Sequence, residues 1–185
     1  MKNFVLAFVF LVCIGGCTRN TNTDLRFVVT HDGMAGEELT GRVYIMLTKK
    51  PVPSLGGPDW FNPEPFFAMD VENWKANTPL NIGENADGMD GSPSSIGGGP
   101  WNAVAVFRND NDQSRIASEG GLYSDVVQIE GDGSVAGVVE MPLNTRVSAR
   151  TWKPHKNLRL VEERSPLLSA FYGRDVLHGA CVIVP

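Results

Sequence analysis

Cysteine, histidine and positive charge are all scarce in this sequence, and each scarcity removes a class of function. Three cysteines and three histidines in 185 residues leave no Cys-x-x-Cys pair and no His-Glu-x-x-His run, the spacings through which short motifs hold zinc. Sixteen Lys and Arg stand against 21 Asp and Glu, a formal net charge of −5. Binding a nucleic-acid backbone needs clustered basic residues, so nucleic acid is not an expected partner. Long apolar runs are lacking as well: the longest, Phe4–Ile14, falls short of the ~20 residues a membrane-spanning helix needs. There is no Gly-x-Ser-x-Gly, no Ser-x-x-Lys and no glycine-rich loop ending in Lys-Ser/Thr. A serine nucleophile elbow and a phosphate-binding loop are therefore unsupported. Ser92, Ser94 and Ser95 sit in the segment GSPSSIGGG, which reads as a loop.

What is present begins with an address. Met1–Cys17 (MKNFVLAFVFLVCIGGC) places one Lys before the apolar run, then two glycines and a cysteine. That is the layout of a secretory signal, and its Ile14-Gly15-Gly16-Cys17 ending resembles the bacterial lipobox. The expectation is a signal peptide over residues 1–16, with Cys17 becoming the lipidated first residue; the alternative is an ordinary secretory signal with a chance cysteine. Lipidation implies a stable membrane anchor, since each buried CH₂ is worth about 0.8 kcal/mol. Thr18, rather than Asp, after the cysteine favours the outer membrane of a bacterial envelope. Residues 17–24 (CTRNTNTD) form a polar tether. Cys13 leaves with the signal, Cys17 takes the lipid, and Cys181 remains alone among apolar neighbours, read as a buried, inert thiol.

From residue 25 to 185 the pattern is short-run and period two, with 20 Gly and 12 Pro as punctuation. Strands are expected at Leu25–Thr30, Gly41–Thr48, Pro65–Val71, Trp101–Arg108, Gly121–Glu130, Ser134–Leu143, Lys156–Glu163 and Gly179–Val184. Gly41–Thr48 puts Val43, Ile45 and Leu47 on one face. Trp101–Arg108 is apolar on both faces, with Trp101, Ala103, Ala105 and Phe107 opposite Val104 and Val106, as a central strand requires. Gly131-Asp132-Gly133 marks a hairpin. Only Ser165–Phe171 has the makings of a helical turn. The expected fold is all-β: an antiparallel, immunoglobulin-like β-sandwich of seven to eight strands, with a small barrel as the competing architecture. Two long connections, Thr48–Glu64 and Lys75–Pro100, interrupt it. Each is read first as covering a sheet edge and second as functional.

Candidate sites follow from side-chain chemistry. Asn109, Asp110 and Asp112 lie in an Asn/Asp turn after a strand, able to offer several oxygens to calcium; Asn85, Asp87 and Asp90 form a second such cluster. Asx-rich turns also cap strands without metal. Trp60, Phe61, Phe66, Phe67 and Trp74 make an aromatic-rich stretch; most belong in a core, while Trp60, Phe61 and Trp74 are the candidates for stacking on a sugar or docking a partner. His31, His155 and His178 are isolated in sequence. No cofactor is implied.

The segments GRVYIML, GPDWFNPEPFFAMDVENWK, LYSDVVQIE and ERSPLLSAFYGRDVLHGACVIVP resemble the N-terminal module of bacterial secreted esterases related to the enterochelin-esterase/esterase-D family. In that family an immunoglobulin-like sandwich precedes the α/β-hydrolase domain that carries Ser-His-Asp chemistry. None of the family's catalytic residues has a counterpart here. The resemblance therefore implies a membrane-anchored, non-catalytic accessory module acting with an esterase-like protein or a glycan. The alternatives are a small hydrolase built on His178 or His155, and a carbohydrate-binding surface lipoprotein.

Overall fold

The computed structural model describes residues 25–51, 61, 63–89, 91–109, 115–130, 137–149, 153 and 155–184. Within them the chain is all-β and sandwich-like. The signal segment, Cys17, the tether, Trp60, Asp90, Asp110, Asp112 and the Gly131-Asp132-Gly133 hairpin lie outside the described residues.

One curled sheet contains strands β1 (Arg26–His31), β2 (Glu38–Thr48), β3 (Phe66–Lys75), β4 (Leu80–Ile82), β5 (Asp87–Gly88), β6 (Trp101–Arg108), β7 (Leu122–Ser124), β8 (Val127–Ile129) and β9 (Val138–Arg146). Its order is β4-β1-β9-β7-β6-β2-β3-β5, with β8 also on β6. The end strands β4 and β5 are consecutive in the chain, separated only by residues 83–86. Five peptide units reach at most about 18 Å, so the two ends of the sheet must come round towards each other. The expected loop Lys75–Pro100 thus contains both terminal strands. It covers the open edges of β1 and β3, as the edge-covering reading required. One pairing departs from expectation: β1 runs parallel to β9, so the sheet is mixed rather than antiparallel throughout.

The alternation in the sequence becomes two apolar layers. Val43, Ile45 and Leu47 of β2 and Trp101, Ala103, Ala105 and Phe107 of β6 enter the main core with Phe27, Phe67, Leu122 and Met141. On the other face, Met46, Val104, Val106 and Ile116 form a second cluster under Tyr44, Phe66 and Tyr123. Strand β6 is central because it is apolar on both faces: β2 flanks it on one side, and β7 then β8 on the other. On the exposed side, Arg42 of β2 reaches Asp70 of β3 at 2.7 Å and Asp87 of β5, clamping three strands. Partial burial works against the guanidinium's charge, but the hydrogen bonds to both carboxylates outweigh it and raise its pKa.

The single strand expected over Gly121–Glu130 is broken at Asp125-Val126 into β7 and β8, which leaves a gap in the ladder opposite Ala105. Ser124 fills it: its buried hydroxyl accepts from the Ala105 N–H at 2.9 Å and donates to the Asp125 carbonyl at 2.8 Å. Ser124→Ala strands a buried N–H, which costs about 1–3 kcal/mol. The expected result is a lower chemical-denaturation midpoint with an unchanged slope. Unaltered stability would show that the hydroxyl is dispensable.

The C-terminal strands depart most from expectation. β10 (Leu158–Arg164) and β11 (Leu177–Ile183) do not join the sandwich sheet but pair with each other in a separate two-stranded sheet. A helix, α1 (Pro166–Tyr172), connects them. Its ends are legible in the sequence: the Ser165 hydroxyl accepts from the Leu168 N–H, Pro166 opens the first turn, and Gly173 closes it at φ 64°. Almost every residue of the pair is exposed. Cys181 is therefore exposed as well, correcting the buried thiol expected from its apolar neighbours. An apolar run is buried only where a second layer covers it, and none of the described residues supplies one here.

Candidate functional site

The start of β3 lies against the end of the second long connection. Glu64 and Pro65, which lead into β3, are fixed to β2: the Leu47 N–H donates to the Pro65 carbonyl at 3.1 Å, and the Thr48 hydroxyl to a Glu64 carboxylate oxygen at 2.7 Å. The second connection approaches through a short 3-10 turn at Pro93–Ser95. It is held by the Trp101 indole N–H, which donates to the Gly97 carbonyl at 2.9 Å. Between the two lies a cleft of about 190 Å³ lined by Pro65, Phe66, Phe67, Ser95, Ile96 and Gly97. Phe61, four residues before Pro65, is fully exposed. Lys49 caps the far side of Trp101, its ammonium 4.9 Å from the ring centroid. The cleft is apolar with a hydroxyl at its lip, a surface suited to an aromatic or aliphatic side chain or the apolar face of a sugar ring.

The candidate aromatics separate accordingly. Phe61 is fully exposed; Phe67 is core and forms one cleft wall, stacked on Phe27 at 6.4 Å between centroids. Trp74 is not a ligand platform. It is 7% exposed and belongs to the main core, its indole N–H donating to the Thr78 carbonyl at 2.7 Å. Its ring meets the buried His31 imidazole edge-on at 4.5 Å. The pairing with β2 shifts register here: the three residue steps of β3 from Val71 to Trp74 oppose two of β2, with Asn73 at φ 50°, and the extra residue brings Val71 and Trp74 onto the same inward face. His31 is satisfied in turn: Nε2 donates to the Trp74 carbonyl at 3.2 Å, and Nδ1 accepts from the Gly33 N–H at 3.3 Å. Both ring nitrogens are thus engaged within the fold, which makes His31 a packing residue.

The other candidates lie apart from the cleft. His155 is exposed, with Nδ1 accepting from the Asn157 N–H at 3.2 Å. His178 stands on β11 opposite Glu163. The serines nearest to it are committed to structure: Ser165 caps α1, and the buried Ser169 hydroxyl accepts from the Val176 N–H at 3.0 Å. Asn109 is exposed and packs against the turn at Gly120. Asp87 of the second Asn/Asp cluster is taken by Arg42. Among the described residues no three His, Cys, Asp or Glu side chains are placed to share a metal ion, and no helix is long and apolar enough to cross a membrane.

The part that Pro65, Ile96 and Gly97 play in the cleft was not visible in sequence, because it depends on how two connections are pinned. The closest signal was the presence of two long, Pro/Gly-rich connections in one small domain. No protein-family model, no curated protein and no solved structure matches this chain.

Proposed function

We propose that the chain is a membrane-anchored, non-catalytic binding module of a bacterial envelope, tethered through lipidated Cys17 and acting as accessory to an esterase-like protein. The observation that carries this reading is the cleft between the start of β3 and the end of the second long connection, with Phe61 fully exposed four residues before Pro65. Exposed aromatic side chains and apolar recesses are the usual anchors of a docking site. The resemblance of the flanking segment GPDWFNPEPFFAMDVENWK to the esterase N-terminal module supplies the partner class.

The test combines capture with turnover. Crosslinking in the native envelope, followed by isolation of the chain, is expected to recover an esterase-like protein, and Phe61→Ser to reduce that recovery at least tenfold without changing the chain's abundance. Hydrolysis of p-nitrophenyl butyrate is expected from the complex and not from the chain alone. Turnover by the chain alone that disappears in His178→Ala or His155→Ala would overturn the reading in favour of a small hydrolase. Recovery of a glycan in place of a protein, with the same dependence on Phe61, would make it a carbohydrate-binding lipoprotein.

A further inference from the structure

The C-terminal sheet has two open edges of opposite character. β10 carries Arg159, Glu162, Glu163 and Arg164, and the Arg159 guanidinium turns back onto the Leu158 carbonyl at 3.1 Å. Charge along an edge is the usual protection against further strand pairing. β11 (LHGACVI) has no Asp, Glu, Lys or Arg. Among the described residues it pairs only with β10.

The hydrogen-bond parity of β11 is fixed by its neighbours. The Val184 N–H donates to the Asn157 carbonyl and the Ser165 N–H to the Val176 carbonyl, each at 2.8 Å. Hydrogen-bonded pairs alternate along an antiparallel ladder, so in the observed register Val182, Ala180 and His178 bond inward to β10. The backbone groups of Leu177, Gly179, Cys181 and Ile183 point outward, away from β10. Their side chains share one face with Leu158, Leu160, Glu162 and Arg164, and Leu177 and Ile183 are 58% and 77% exposed. A Cβ built on Gly179 would meet nothing within 4 Å, so the face is open at that position.

We infer that β11 is an interface between two copies of this chain, paired antiparallel about a two-fold axis at Ala180. In that register Leu177 faces Ile183 of the second copy and Gly179 faces its Cys181. All four outward residues of each strand are then matched, giving about eight interchain hydrogen bonds. No formal charge is brought against another, and the small Ala180 side chains meet on the axis, where opposed Cα atoms approach to ~4.5 Å. The product is a four-stranded sheet whose two central strands are apolar on that face, flanked by Leu158, Leu160, Glu162 and Arg164 of each β10. An isolated two-stranded sheet is marginal in water, whereas three or more strands with an apolar face hold together. The self-matching register is what favours a second copy over a foreign strand, and the inference stands apart from the proposed role of the cleft.

The test uses the full chain in its native membrane. Directly opposed Cα atoms in a hydrogen-bonded pair lie about 5.5 Å apart, within disulfide range, so Gly179→Cys places a new thiol against Cys181 of the second copy. Copper–phenanthroline oxidation is expected to convert most of Gly179→Cys to a dimer on non-reducing gels. Wild type and the double variant Gly179→Cys/Cys181→Ser should stay monomeric, because their remaining thiols sit diagonally, more than 7 Å apart. In detergent, wild type should double its mass with rising concentration, and Gly179→Pro, which removes an outward N–H while leaving the bonds to β10, should not. A wild-type mass that stays monomeric, or a crosslink that persists in the double variant, overturns the inference, as does capture of a foreign strand on β11.

Discussion

Phe107→Ala is expected to destabilise the chain by about 3–5 kcal/mol, the range for truncating a fully buried aromatic. For a domain of this size that is roughly a 10 °C drop in melting temperature. Phe107 is 1% exposed and sits on the most enclosed strand, opposite Val43 of β2 and Leu122 of β7. Its neighbours are held in ladders on both sides, so the sandwich cannot collapse into the cavity. The same truncation at Phe66, half-buried at the cleft, should cost less than half as much. Thermal unfolding of both variants checks the pair. Equal losses would mean that β6 is not the centre of the core.

The positions of β2 and β6 were legible because period-two alternation over eight residues is a physical requirement of a strand with two distinct faces. Val43, Ile45 and Leu47 had to lie together, and a strand apolar on both faces had to be central. The short helix was legible from Ser165-Pro166 and Gly173 for the same local reason. What escaped was decided by distant parts of the chain. The two residues of β5 carry no pattern of their own; they are a strand only because Phe67 and Ala68 offer an edge. The parallel pairing of β1 with β9 is likewise a matter of topology.

The same division explains the candidate sites. Phe61 and Trp74 were equivalent as exposed aromatics in the sequence, yet one is fully exposed and the other lies in the core against His31. The bulge in β3 between Val71 and Trp74, with Asn73 at positive φ, makes the difference, and it interrupts the alternation that a sequence pattern relies on. Leu160, Cys181 and Ile183 looked like core because apolar runs normally are. Whether a second layer exists to cover them is not written in the run itself. A subtler signal was available: GACVIV carries no charge while RLVEER carries four, an asymmetry between adjacent strands that marks one edge as protected and the other as not.

Gly41→Ala is expected to cost about 3 kcal/mol or more, at the upper end of overpacking effects, although it adds a single methyl. Gly41 sits at the bulge where the pairing of β2 with β3 shifts register between Leu39 and Gly41. A Cβ there would lie 2.1 Å from the Arg108 carbonyl oxygen and 3.0 Å from the Phe107 ring. The obstruction is backbone of the central strand, so relief requires β2 and β6 to part. Parting them opens the main core between Val43 and Phe107. Gly88 is a useful comparator: its Cβ would come equally close to the Gly91 carbonyl, but β5 is a two-residue edge strand that can be displaced alone. Gly88→Ala should therefore lose far less stability while disturbing the Phe67 wall of the cleft, and with it any binding that depends on Phe61. Denaturation midpoints of the two variants decide the matter: a comparable loss at both positions would mean that the β5 edge is as integral to the fold as the close approach of β2 to β6 at Gly41.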